Sequence, residues 1–160
     1  MAKKIEKTNA ARLLDRAKID YELVPYTVDE NDLAATHVAE ELGEPIEQVF
    51  KTLILKGDRN GFLVCVIPGD REVDLKKAAK ISGNKSVQML PMKELLPTTG
   101  YIRGGCSPIG MKKRFPTFLH ATCLEFTHIY ISAGVRGLQL KIDPQALIGY
   151  TEAVVADLTE

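Results

Sequence analysis

Glycine, hydroxyl and fixed positive charge converge at one place in the chain, the run TTGYIRGGCSPIGMKKRFP from Thr98 to Pro116. Gly104 and Gly105 carry no Cβ, so the backbone can turn there through positive φ and offer bare N–H groups, an arrangement that cradles a carbonyl or phosphate oxygen. Pro108 and Gly110 turn the chain again, and Lys112, Lys113 and Arg114 follow at once. An anionic ligand is one reading of this loop; a tight connection with a solvated basic face is the other. Lys51 is the second candidate. It stands at the mouth of a run of Phe, Leu, Ile and Leu, where a charge loses hydration unless something pairs with it. It is either a functional cation or a snorkelling lysine at a strand end.

Other chemistries find less support. Cys106 and Ser107 could act as nucleophiles, with His37, His120 and His128 as bases, but GGCSPIG lacks the G-x-S-x-G pattern. A Cys106 nucleophile would need the depressed pKa that Arg103 could supply. Three scattered histidines without H-E-x-x-H or paired-cysteine spacing give no ligand set, so no metal is expected. Lys76, Lys77, Lys80, Lys85, Lys112, Lys113 and Arg114 could line a groove, but with no tryptophan and no stacking pattern such a groove would contact phosphates and not sequence. Neither a G-x-G-x-x-G fingerprint nor a Walker A lysine is found.

The chain has 160 residues, 45% of them hydrophobic, enough for one well-cored domain. Lys plus Arg and Asp plus Glu balance at 21 each, so no global field holds a polyanion. The N-terminal run MAKKIEKTNAARLL starts basic and becomes amphipathic without an apolar signal region, and no later run reaches membrane-span length. Cys65, Cys106 and Cys123 are odd in number and lack C-x-x-C spacing, which fits reduced thiols. A cytoplasmic protein without disulfide, metal or cofactor is expected.

These residues need elements to position them. Thr8 to Lys18 reads as an amphipathic helix, and YELVPYT (Tyr21 to Thr27) as an edge strand demoted by Pro25, with Tyr26 where edge meets loop. Asp32 or Thr36 caps a helix to Leu42, stopped by Gly43, and Pro45 opens a short segment to Phe50. Phe50 to Lys56 and Phe62 to Pro68, joined by GDRNG, read as a hairpin at the centre of the sheet. Asp74 caps a helix to Ile81, with Leu75 and Ala78 inward and Lys76, Lys77 and Lys80 outward. Val87 to Leu96 gives a strand-like piece and a short helix, and Tyr101 to Arg103 a strand-like run into the glycine loop. Strands follow at Thr117 to Ala121, Ile129 to Ser132 and Leu138 to Ile142, and Asp143 and Pro144 cap a last helix. This order predicts an α+β fold and not a doubly wound sheet.

Four motifs in this order, FKTLIL around Lys51, DLKKAAKISGNKSVQM, TGYIRGGCSPIGMKKRFPT and IYISAGVRGLQL, resemble the bacterial YbaK family of aminoacyl-tRNA deacylases, relatives of the editing domain inserted in prolyl-tRNA synthetase. The match covers nearly the whole chain. The resemblance implies a single domain over residues 1–160, with a mixed, partly rolled β-sheet flanked by helices. It implies the clearance of a wrong amino acid, held as an ester, from the 3′ end of tRNA. The family lysine falls on Lys51, the glycine whose backbone contacts substrate on Gly104, the serine of the I-Y-x-S-x-G run on Ser132, and a pocket tyrosine on Tyr26. Gly105 and Ser107 of the same loop are read as further substrate contacts.

The family uses neither metal nor a conventional protein nucleophile. In its cysteine-specific branch the substrate's own thiol attacks the ester carbonyl and leaves as a thiolactone, formally a lyase reaction; in alanine- or serine-specific relatives water attacks. This sequence has no ring near Ala34, in DLAATHVAEELG, where the cysteine branch carries an aromatic pocket residue. The reading is therefore a trans-acting deacylase, Cys-tRNA(Pro) first and alanine second, with aminoacyl-tRNA as substrate and prolyl-tRNA synthetase as a partner. Its rivals are a non-catalytic tRNA- or synthetase-binding module of the same fold and a Cys106-dependent hydrolase.

Overall fold

The computed structural model describes residues 6–160; Met1 to Ile5, where the basic start of the N-terminal run falls, lie outside the described residues. Along the chain come α1 (Asn9–Arg16), β1 (Tyr21–Pro25), α2 (Ala35–Leu42), β2 (Phe50–Gly57), β3 (Phe62–Pro68), α3 (Leu75–Ser82) and β4 (Val87–Met89). Then follow α4 (Met92–Thr99), β5 (Thr117–His120), β6 (Ile129–Ser132), β7 (Leu138–Ile142), α5 (Pro144–Thr151) and β8 (Val154–Ala156). The α+β class holds, and the mixed sheet is divided in two. One part has five strands in the order β4-β2-β3-β5-β8, the other three in the order β1-β7-β6. The two meet at a bridge between Val49 and Tyr130.

The β2–β3 hairpin is antiparallel, whereas β5 runs parallel to β3 and β8 parallel to β5. Strand β3 is the centre of the larger sheet and is covered on both faces, which is why its sequence is an unbroken apolar run. Val64 and Val66 join Leu14, Ile54, Ile131 and Leu140 in the main core between the sheets. Leu63, Cys65 and Ile67 face the other way, onto Ala78 and Ala79 of α3 and onto Leu158. Each fully buried aliphatic side chain contributes about 1.5–3 kcal/mol, so this double coverage fixes the hairpin that carries Lys51.

Local chemistry sets the element ends. Thr8 accepts the Ala11 N–H at the start of α1, Asp74 accepts from Lys76 and Lys77 at α3, and Asp143 accepts from Gln145 at α5. Pro25, with no N–H to give, closes β1 at a sheet edge. Three expectations need correction. Neither Asp32 nor Thr36 caps α2: Ala34 holds the cap position, and the Asp32 carboxylate instead accepts the Ala34 N–H in the loop before it. Leu75 remains 41% exposed, because α3 packs through the adjacent pair Ala78 and Ala79. Tyr101 to Arg103 is not a strand; the Tyr101 N–H goes to the Thr99 hydroxyl at the end of α4 and not to a neighbouring strand.

Candidate active site

Strand β2 is only half covered on its outer edge. Strand β4 pairs with Leu55 to Gly57, and the Leu90 N–H reaches the Ile54 carbonyl, after which the pairing stops. Alternate residues of a strand turn their N–H and C=O to the same side, so Thr52, two before Ile54, presents its backbone to this open edge. A cavity of about 510 Å³ lies along it, walled by β2 from Val49 to Ile54, by Leu33 to Ala35 and Val38, by Met89 to Leu95, by the glycine loop, and by Ser132 and Gln139.

Lys51 lines this cavity, half-buried, with no ion pair or hydrogen bond among the described residues. Arg103 is the other charged residue in its lining, and no carboxylate lines it. A positive cavity without an acid favours ligands that carry or develop negative charge. Gly104 reaches the cavity at φ +85, and a Cβ there would lie 3.3 Å from Arg136 Nε and 3.5 Å from Leu33. Only glycine fits that conformation and that approach without strain. Arg136 Nε donates to the Arg103 carbonyl at 2.8 Å and so pins the loop beside it. Tyr101 braces the loop from the other end, its hydroxyl donating to the Ile109 carbonyl, and burial pushes that hydroxyl's pKa up to about 12.

Lys51, Gly104 and Ser132 thus come from three separate segments to one cavity. Ser132 is buried in β6, and its Oγ accepts the Gly134 N–H of the β6–β7 turn at 3.1 Å. The other three candidates stand behind this wall. Tyr26 packs against the cluster of Val38, Ala39, Val49 and Tyr130, and of these Val38 and Val49 are the residues that face the cavity. The Gly105 N–H is engaged by the Ile102 carbonyl within the turn, and a Cβ at Gly105 would lie 3.2 Å from the Val135 backbone. Ser107 is fully buried, and its Oγ accepts the Ile109 N–H. These residues shape the loop and do not line the cavity.

Cys106 does line it, but burial pushes the thiol up to about 12, opposite to what a thiolate nucleophile requires. No histidine lines the cavity among the described residues. His120 is buried in β5, where its Nδ1 accepts the Leu158 N–H. The basic residues do not form one groove: Lys77 is tied to Asp157 and to the Thr159 carbonyl, and Lys113 and Arg114 line a separate cavity of about 260 Å³. Sequence reasoning missed Gln139 and Thr52 as cavity residues. Gln139 is a polar side chain buried inside a strand, and its only signal was a polar residue in the run LQLKI.

Residues 30–150 match the model of the aminoacyl-tRNA editing domain. The chain is 48% identical over 161 residues to a protein of Enterococcus faecalis named "Putative Cys-tRNA(Pro)/Cys-tRNA(Cys) deacylase EbsC", covering 99% of this chain and 98% of that one. A 76-residue stretch, 48% of this chain, is 40% identical to 13% of a proline–tRNA ligase of Thermosipho africanus. The fold superposes with a TM-score of 0.81, at 23% identity, on a solved structure described as "a putative trans-editing enzyme for prolyl tRNA synthetase", over 97% of this chain and 99% of that one. The matched span contains Lys51, Gly104 and Ser132, and on these grounds the chain belongs to the aminoacyl-tRNA editing domain family.

Proposed function

We propose that this protein is a trans-acting aminoacyl-tRNA deacylase that clears mischarged tRNA, with Cys-tRNA(Pro) as its first substrate and residues 1–160 working as one editing domain. The observation that carries this reading is Lys51: a half-buried cation without a protein partner, in an acid-free cavity beside Gly104. Its ammonium holds the aminoacyl ester and stabilises the negative charge that develops on the carbonyl oxygen. Gly104 brings backbone close to the same group, and Ser132 forms part of the wall. Tyr26, Gly105 and Ser107 act by supporting that wall.

With no activated protein nucleophile in the lining, the attacking group comes from substrate or solvent. In a cysteinyl ester the substrate sulfur bonds to its own carbonyl carbon and the bond to the terminal ribose oxygen breaks. That oxygen takes up the proton that the thiol gives up, leaving a thiolactone and free tRNA. In an alanyl or seryl ester water attacks and the free amino acid leaves. The wall near Ala34 is made by Leu33, Ala34 and Ala35 without a ring. Pocket volume separates small amino acids by only about 1–3 kcal/mol per methylene, so alanine is the second substrate.

The balanced net charge supports weak affinity for free tRNA. A prolyl-tRNA synthetase partner in the cytoplasm would then supply the remaining affinity, in keeping with the likeness to a segment of a proline–tRNA ligase. Among the described residues no helix is long and apolar enough to cross a membrane.

The test is single-turnover deacylation of Cys-, Ala- and Pro-tRNA(Pro) by wild type and Lys51→Ala, with product identification. Lys51→Ala is expected to lose at least about 10²-fold in rate with an unchanged melting temperature. Full activity in that variant overturns the role of Lys51. Failure of the folded wild type on every charged tRNA turns the reading to a non-catalytic binding module.

A further inference from the structure

Two polar atoms in the wall of the cavity lack a partner. Gln139 Oε1 and Thr52 Oγ1 are both shut off from solvent and accept or donate no hydrogen bond among the described residues. Gln139 is only 5% exposed, and it sits directly opposite Ser132 in the β6–β7 register, on the same wall. Folded proteins pair their buried polar atoms, so an orphaned acceptor facing a cavity calls for a donor from outside the chain.

We propose that Gln139 is a specificity contact for the α-amino group of the esterified amino acid, its Oε1 accepting an N–H that only the substrate brings. This rests on the reading of the cavity as an aminoacyl-ester site. The α-amino group is the N–H donor common to every aminoacyl ester, whereas the ribose hydroxyl remains with the bulk of the tRNA, toward the more exposed Arg103. The charge in the lining sets the form that is bound. Lys51 and Arg103 are present and no carboxylate is, so a protonated α-ammonium meets repulsion and the neutral amine does not. Recognition is then by a hydrogen bond to a neutral amide, and binding strengthens as pH rises through the titration of the substrate amine. The Thr52 hydroxyl, the second orphan, offers the amine another polar neighbour in the same cavity.

The probes are 3′-alanylamino-3′-deoxyadenosine and 3′-propionylamino-3′-deoxyadenosine, amides that resist cleavage and differ only by the α-amino group. Wild type is expected to prefer the alanyl compound by about tenfold or more, the preference growing from pH 6 to pH 8.5. Gln139→Leu should bind both alike while keeping the affinity for the propionyl compound. Gln139→Glu, which places a carboxylate there, should keep the preference and reverse its pH trend. Equal binding of both compounds by wild type, binding of neither, or an undiminished preference in Gln139→Leu overturns the proposal. Turnover of aminoacyl-tRNA by wild type, measured alongside, reports on the deacylase reading separately: a preference without turnover removes the catalytic reading alone, and turnover without a preference removes the role of Gln139 alone.

Discussion

At the scale of single residues, the legible ones are those whose chemistry conflicts with their neighbours. Lys51 among apolar residues and Gly104 in a cationic loop stand out in the sequence, and both line the cavity. Asn84 gives no such signal in SGNKS, yet it is 8% exposed and does more for the fold than any neighbour in that run. Its Oδ1 accepts the N–H groups of Arg59 and Asn60, and its Nδ2 donates to Ser82, so it ties the β2–β3 turn to the end of α3. Gly57 makes room for it, since a Cβ there would fall 2.3 Å from the Asn84 amide. Asn84→Ala leaves two backbone donors without their acceptor and is expected to cost about 2 kcal/mol, read as a fall in the urea midpoint at constant slope. Asn60→Ala removes only exposed contacts and should cost well under half of that.

At the scale of elements, legibility follows whether the signal is local. A helix cap is local, which is why Thr8, Asp74 and Asp143 could be placed from sequence and hold those positions. Asp74→Ala is expected to lower stability by about 1 kcal/mol in a thermal melt, and Asp74→Asn, whose amide oxygen can accept the same N–H groups, should retain most of it. Strand partnership is not local. The three residues of β8 are legible only through the parallel partner that β5 offers them. The division into two sheets depends on the single meeting of Val49 with Tyr130. Gln139 was hidden for a related reason: alternation in LQLKI marks one buried face, whereas β7 has buried residues on both, so a polar side chain there is read as solvent-facing when it faces a cavity.

At the scale of the whole molecule, the two ends of the larger sheet are joined through a titratable group. His120 at the end of β5 accepts the Leu158 N–H at 3.1 Å, which holds the last strand region against the second core cluster. Burial is the main influence on its imidazole and lowers its pKa below 6.5; Arg71 and Lys77 act in the same direction, Asp157 and Glu125 against it. Because the folded pKa is depressed, the unfolded chain binds more protons just below pH 6.5. The stability from neutral His120 is therefore complete above that pH and is lost as pH falls toward the folded value. The slope is at most about 1.4 kcal/mol per pH unit for one proton. Asp15, Asp58 and Asp157 are held below 3.8 by their hydrogen-bond partners, so they stay charged through this window and lose their contribution only in stronger acid. Urea unfolding at pH 7.5, 6 and 5 should accordingly show a decline that flattens in His120→Asn, whose side-chain oxygen can accept the same N–H but does not titrate. An equal decline in that variant would place the acid sensitivity elsewhere in the fold.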